Sequence, residues 1–176
     1  MKLIIISPFP PFRGGIAKET EILYNNLIID NRLSVINFKR LYPGIFFPGK
    51  SQYRKNNQTH NYKNIYNLLD SINPFTWERV SQFILKSKTK NVVLRYWHPF
   101  FIPSYLYIIL RVKYINKNIS FYSICDNVFP HESFPFTKII SKYFFKKIDY
   151  FFVMSDNNYD LLSTFINNQK IKKIFL

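Results

Sequence analysis

The sequence predicts an α/β protein, a single doubly wound parallel sheet with helices on both faces. Three observations carry this. Short runs rich in β-branched and aromatic residues recur along the chain, and the first, Lys2–Ser7, is continuously apolar and ends at a proline, the pattern of a strand buried on both faces. Stretches with apolar residues at helical spacing separate most of these runs, which implies βαβ units. Three unusual turns, at residues 7–15, 97–103 and 126–135, each follow a strand, where the carboxyl edge of such a sheet binds its ligands.

Taken in order, Lys2–Ser7 is the first strand, and Ser7-Pro8-Phe9-Pro10-Pro11-Phe12-Arg13-Gly14-Gly15 leads from it into a helix over Ile16–Asn31. That helix places Ile16, Thr20, Leu23 and Leu27 on one face, with Glu19 and Glu21 in its early turns, where the dipole favours acids. A strand, a proline-stiffened loop, two glycines and a helix in that order direct backbone N–H groups at a ligand. The first N–H groups of a helix lack partners, and its dipole favours anions. Leu33–Lys39 is a second strand. Arg40–Asn61 is irregular, aromatic and basic, and long for a connection. Asn73-Pro74 then opens a helix, with Asn as N-cap and Pro at the first helical position; Trp77, Val80 and Ile84 form its inner face. Asn91–Tyr96 is a strand. Trp97–Pro103 turns into a helix that runs to about Lys113. Ile119–Cys125 is a strand, Thr137–Lys147 a helix and Tyr150–Met154 a strand. Ser155 caps a helix to about Phe165, and Ile171–Leu176 begins a further strand.

The 176 residues suit one domain, and 47% hydrophobic residues supply a core. Lys and Arg number 25 against 10 acids, a net charge of +15 that points to an anionic partner such as nucleic acid, a membrane surface or a phosphorylated substrate. The abundance of Asn, Ile, Tyr and Phe beside Lys assigns part of that charge to a general compositional bias. The single cysteine, Cys125, rules out a disulfide within the chain and fits a reducing, cytoplasmic compartment. Leu3–Ile6 is too short for a signal peptide, and no stretch approaches the ~18 apolar residues of a membrane span.

Several chemistries are disfavoured. A dinucleotide fold needs G-x-G-x-x-G in its first turn and an acid about 20 residues on; this turn has only Gly14-Gly15, and the second strand ends Phe38-Lys39. There is no P-loop. The three histidines, His60, His98 and His131, are far apart, and no His/Cys cluster has zinc-ligand spacing, so no metal is expected.

Five motifs in order point elsewhere. Ser7-Pro-Phe-Pro-Pro-Phe-Arg-Gly-Gly-Ile-Ala17, Phe38-Lys-Arg-Leu-Tyr-Pro43 with Phe47-Pro-Gly-Lys50, Asn73-Pro-Phe-Thr-Trp77, Tyr96-Trp-His-Pro-Phe-Phe-Ile-Pro103 and Asn127-Val-Phe-Pro-His-Glu132 resemble one branch of the family-4 retaining glycosyltransferases. Val153-Met-Ser155 also fits, so the resemblance spans nearly the whole chain. It implies a GT-B fold, in which two Rossmann-like domains face each other across a cleft. Residues 1–176 match the N-terminal, acceptor-side domain, and the C-terminal donor domain with its E-x7-E motif is expected to be absent. The family transfers a sugar from a nucleotide-sugar to an acceptor, here a glycan or lipid-linked one, generally without a metal or other cofactor.

Carried onto this sequence, the resemblance places Gly14, Gly15 and Arg13 at the donor diphosphate or the acceptor group. It brings His98, Asn127 and Glu132 to the substrates, and His131 and Asp126 to the chemistry. One departure stands out. The branch usually carries a histidine just before or at the position of Asp126, where this chain reads Cys125-Asp126-Asn127. Either His131 or His98 compensates, or activity is altered. Turnover is not expected from the chain alone, and a separate chain carrying the second domain is a candidate partner.

Plainer roles stay open beside these. Gly14-Gly15 also suits a tight turn into a helix, His98 a packed aromatic turn, and His131-Glu132 a surface hydrogen-bonded pair. Asp126 also suits a turn former, and Cys125 a small buried hydrophobe. Lys138, Lys142 and Lys146 recur every four residues beside Ile139, Ile140 and Tyr143: either a solvated helix face or a basic amphipathic surface on anionic lipid. The Arg40–Lys55 segment carries the same two readings. A non-catalytic basic module for membrane or nucleic acid is thus the alternative function, and a truncated gene remnant a third.

Overall fold

The computed structural model describes residues 2–28, 33–44, 51–54, 62–128 and 137–174. In chain order the elements are β1 (Leu3–Ile6), α1 (Gly15–Leu27), β2 (Leu33–Arg40), β3 (Ile65–Asp70), α2 (Pro74–Lys86), β4 (Asn91–Tyr96), α3 (Ile102–Ile115), β5 (Ser120–Cys125), α4 (Thr137–Phe145), β6 (Tyr150–Val153), α5 (Asp156–Ser163) and β7 (Ile171–Lys173). The seven strands form one sheet in the order β3-β2-β1-β4-β5-β6-β7, and each neighbouring pair is parallel. The chain builds outward from β1 to β3, crosses back through α2, and builds outward again from β4. The reversal lies between β1 and β4, where a doubly wound sheet opens its ligand crevice.

The period-2 alternation of strands sorts the core onto two faces. Ile4 and Ile6 of β1 join Ile36, Val92, Leu94, Phe121 and Phe151 under the helices that carry Val80, Ile84, Ile108, Ile109, Phe144 and Leu162. Ile5, between them in sequence, lies in a second cluster with Leu33, Val35, Phe9 and Tyr24 of α1. Burying an aliphatic or Phe side chain of this kind stabilises the fold by about 1.5–3 kcal/mol. The result is a Rossmann-like sheet with helices on both faces, as the sequence predicts.

Local chemistry sets the helix ends. Asn73 caps α2, its side chain accepting from the Phe75 N–H, with Pro74 in the first turn; Ser155 caps α5 by accepting from the Asn158 N–H. The turn after β4 begins as a 3-10 segment, Pro99–Phe101, before α3.

Two expectations are corrected. β3 is a strand in a stretch to which the sequence analysis assigns no element. It is an edge strand paired only to β2, with irregular register at Phe38, and its exposed Tyr66 and Asn67 break the apolar signal. The inner face of α1 is Ala17, Thr20 and Tyr24, while Leu27 is exposed. Tyr24 wins that place because its ring packs edge-on against Phe9 and Tyr62, and its hydroxyl donates to the Lys63 carbonyl and accepts from the Lys63 N–H. Residues 129–136, with His131 and Glu132, and residues 45–50 and 55–61, with Phe47, Lys50 and His60, lie outside the described residues.

Candidate functional site

The turn after β1 is held from below and from one side. Ser7 Oγ shares a 2.6 Å hydrogen bond with Thr20 Oγ1 of α1. Asn37 of β2 accepts from the Phe9 N–H at 2.9 Å and donates to the Phe9 carbonyl at 3.3 Å, so one buried amide satisfies both backbone groups of Phe9. On the side, the Arg54 N–H donates to the Pro11 carbonyl and the Arg13 N–H to the Gln52 carbonyl, each at 2.9 Å, and Phe12 stacks on Tyr53. The turn is thereby fixed, with Ser7, Phe9 and Phe12 buried and Arg13 and Gly14 left at the surface.

Gly14 ends this turn as the N-cap of α1, with φ 117° and ψ 166°. That region is essentially reserved for glycine, because a Cβ there strains the backbone. Gly14 offers the helix no side-chain acceptor, and a Cβ built on either Gly14 or Gly15 would meet no atom of the described residues within 4 Å. Among the described residues there is thus room for a side chain at the N-terminus of α1, a helix end of the kind that binds anions.

Behind it lies a charged cluster that motif reading does not single out. Arg95, on β4 at the sheet reversal, has a side chain only 1% exposed. Its Nε donates to Asp126 Oδ2 at 2.6 Å and its Nη2 to Asp126 Oδ1, a bidentate fork, and Nη2 also meets Glu19 of α1. Nη1 is buried with no partner among the described residues. The cluster ties the end of β4 to the turn after β5 and to the second turn of α1. Burial opposes the charge on Arg95, but hydrogen bonds and attraction from Asp126 and Glu19 leave its pKa raised. Burial pushes the Asp126 carboxyl up, with Arg95 pulling against it. Because both Asp126 oxygens face a guanidinium, Asp126 holds Arg95 in place. The signal for Arg95 was a charge inside the apolar run Val92-Val93-Leu94-Arg95-Tyr96, since a charge in a buried strand needs a partner.

The remaining described candidates share this carboxyl edge. His98 caps the 3-10 segment, its Nδ1 accepting from the Phe100 N–H at 3.1 Å. Burial lowers its pKa. A neutral imidazole whose Nδ1 accepts carries its proton on Nε2, which makes it a donor at that atom. The turn is packed by Trp97 and Phe101 against Phe38, and Trp97 Nε1 donates to the Tyr42 hydroxyl at 2.9 Å. Asn127 follows Asp126 in a turn clamped by Asn158 of α5, which donates to the Asp126 carbonyl and accepts from the Val128 N–H. Cys125 is buried, and burial pushes its thiol well up. Arg13 lies exposed beside Gly14. Among the described residues no group of three His, Cys, Asp or Glu side chains could hold a metal ion, and no helix is long and apolar enough to cross a membrane.

No protein-family model and no curated protein matches the chain. Among solved structures it is similar to the UDP-GlcNAc 2-epimerase from Methanocaldococcus jannaschii, with 17% identity and a TM-score of 0.52. The match takes in 99% of this chain and 45% of that one, so the chain spans less than half of the epimerase's length. At this identity the likeness shows the fold alone: a Rossmann-like sheet of the GT-B-like kind.

Proposed function

We propose that the chain is the acceptor-side domain of a GT-B glycosyltransferase resembling family 4, which transfers a sugar from a nucleotide-sugar to a glycan or lipid-linked acceptor. The observation that supports this most is the glycine-capped N-terminus of α1 at the sheet reversal, with nothing among the described residues within 4 Å of a Cβ at Gly14 or Gly15. Backbone N–H groups aimed into such a space stabilise a diphosphate without proton transfer, which suits a leaving nucleotide. The similar epimerase is named for a nucleotide-sugar, UDP-GlcNAc, which agrees with that ligand class.

In this reading the N–H groups of Gly15 and Ile16, with Arg13, face the phosphate-bearing group. His98 Nε2–H and the Asn127 amide donate to sugar hydroxyls. Arg95, through Asp126 and Glu19, fixes α1 against the ends of β4 and β5, so the donors are placed before substrate arrives. By the family resemblance His131 and Glu132, which lie outside the described residues, belong to the same set. A second domain supplies the rest of the donor site, so residues 1–176 alone do not turn over.

The test uses backbone NMR of the 176-residue protein with millimolar UDP and a panel of nucleotide-sugars. The expected result is movement of the Gly14, Gly15 and Ile16 amide signals, with no sugar transferred. Gly15→Ala separates fold from function. Its Cβ meets open space and alanine is the better helix former, so stability holds or rises by up to about 1 kcal/mol, while binding weakens about tenfold. Unmoved amides with every nucleotide tested, or sugar transfer by the isolated chain, would overturn the corresponding part.

A further inference from the structure

We propose that Glu19 gates a buried phosphate-binding arginine: an incoming phosphoryl group displaces the Glu19 carboxylate from Arg95 and takes both end-facing donors of the guanidinium. This rests on the reading that a phosphate-bearing group binds at the N-terminus of α1, and adds to it a residue and a step. A guanidinium presents a side edge shared by Nε and Nη2 and an end edge shared by Nη2 and Nη1. On Arg95 the Asp126 carboxylate occupies the whole side edge. The second Nη2 hydrogen therefore belongs to the end edge, where Glu19 meets it. Glu19 uses only one donor of that edge. Nη1, the other, is buried with no partner among the described residues.

The two carboxylates on Arg95 are unlike. Asp126 has a side chain only 16% exposed, and its backbone is held on both sides, by the Tyr96 carbonyl and by the Asn158 amide. Glu19 is 44% exposed and can turn into water, where an ion pair of this kind is worth little. The cluster also carries two negative charges against one positive. Burial first, and the Glu19 charge in the same direction, push the Asp126 carboxyl up. Glu19 is thus the partner that leaves. Two phosphoryl oxygens match the end edge as a fork, meeting Nη2 and the unmet Nη1 together, which a carboxylate on one donor does not.

The placement joins this edge to the helix end. Glu19 stands four residues after Gly15, on the same face of α1, and helical side chains lean towards the N-terminus. Its carboxylate therefore lies towards the first turn, whose N–H groups at Gly15, Ile16 and Ala17 have no acceptor within the helix; the Lys18 N–H is the first to close, onto the Gly14 carbonyl. A diphosphate reaches both places, one phosphoryl group at those N–H groups and the other on Arg95, because a helical turn rises only about 5.4 Å. In the free protein Glu19 ties α1 to Arg95; with the anion bound, its oxygens take over that tie.

The experiment titrates inorganic pyrophosphate and, separately, UDP into the 176-residue protein at fixed ionic strength, followed by calorimetry and by the NMR signal of the Arg95 Nε–H group. The expected result is movement of the Arg95 signal with both ligands, and binding of both about tenfold tighter in Glu19→Gln. Glu21→Gln removes the same charge from the same helix, but Glu21 pairs with Arg54, so its affinity changes by less than about threefold. Three results overturn the exchange: an Arg95 signal that neither ligand moves in the parent, unchanged or weaker binding by Glu19→Gln, or an equal gain from Glu21→Gln. The nucleotide reading fails separately. Pyrophosphate binding with the full Glu19 effect, beside no binding of UDP, leaves the gate standing for phosphoryl anions and removes the nucleotide. UDP that moves the α1 amides while Glu19→Gln changes nothing does the reverse.

Discussion

Arg95 occupies a position that ordinary strand chemistry avoids, a guanidinium inside a central strand with almost no access to water. Its cost is offset only while Asp126 and Glu19 face it, so removing one partner leaves the others uncompensated in a medium that screens poorly. Arg95→Met strands the largely buried Asp126 carboxylate and should destabilise the fold by about 3–5 kcal/mol in urea unfolding. Arg95→Lys keeps the charge and loses the fork, and should fall between parent and Met. Glu19→Gln, at a half-exposed position, should cost least. A Met variant within about 1 kcal/mol of the parent would show that the cluster does not hold the edge together. Half of this cluster is legible in the sequence. Asp126 draws notice by following a strand, whereas Arg95, though it interrupts an apolar run, is passed over in the sequence analysis. Their pairing is not, because 31 residues separate them and 76 separate Arg95 from Glu19. Only the adjacency of β4, β5 and α1 brings them together. His98 shows the converse. Its identity suggested chemistry, and the structure gives its Nδ1 a capping duty that sequence cannot weigh.

At the scale of elements, α2 and α3 are clamped to each other by Glu78. Its carboxylate accepts from Arg111 Nε and Nη2, from the Tyr107 hydroxyl at 2.9 Å and from Gln82 Nε2 at 2.7 Å. The Arg111 hydrogen bonds are the main cause that holds the Glu78 carboxyl down at about 2, against an ordinary value of 4.5. A carboxyl whose pKa is lower in the folded state binds its proton more weakly there. Its stabilisation is therefore present above about 4.5 and is lost as the pH falls towards 2. An NMR titration should place the Glu78 midpoint near 2, and Arg111→Ala should return it towards 4.5. Stability of Glu78→Gln should vary less with pH than the parent's across that window, and high salt should narrow the difference. An ordinary midpoint in the parent would mean that the clamp does not form in solution. The helices it joins were readable because their caps and apolar spacing are local: Asn73-Pro74 is a start signal wherever it falls. β3 was not readable, since an edge strand with one neighbour keeps polar residues on display. The face of α1 was misjudged for a related reason, as Tyr24 is drawn inward by Lys63 and Phe9, partners that lie far away in sequence.

For the molecule as a whole, the order of the sheet decides where stability lies and so what the candidate site rests on. β1, β4 and β5 have neighbours on both sides and contain the fully buried Ile6, Val92, Leu94 and Phe121, whereas β3 and β7 each have one neighbour, and β7 is three residues long. Amides open locally with free energies that range from near zero up to the global value, and the slowest belong to strands that open only when the core does. Hydrogen exchange on the 176-residue chain should therefore show greatest protection in β1, β4 and β5, less in β2 and β6, and least in β3 and β7. Gly14, His98 and Asp126 lie in the turns that follow β1, β4 and β5, so this order gives the candidate site the most rigid base the sheet provides. Uniformly fast exchange across β1, β4 and β5 would show that residues 1–176 do not hold the sheet by themselves, and the argument for a pre-placed site would go with it. Strong protection there, with added nucleotide slowing exchange at Gly15 and Ile16 while β3 and β7 stay fast, would place ligand binding on the rigid centre and leave the edges free.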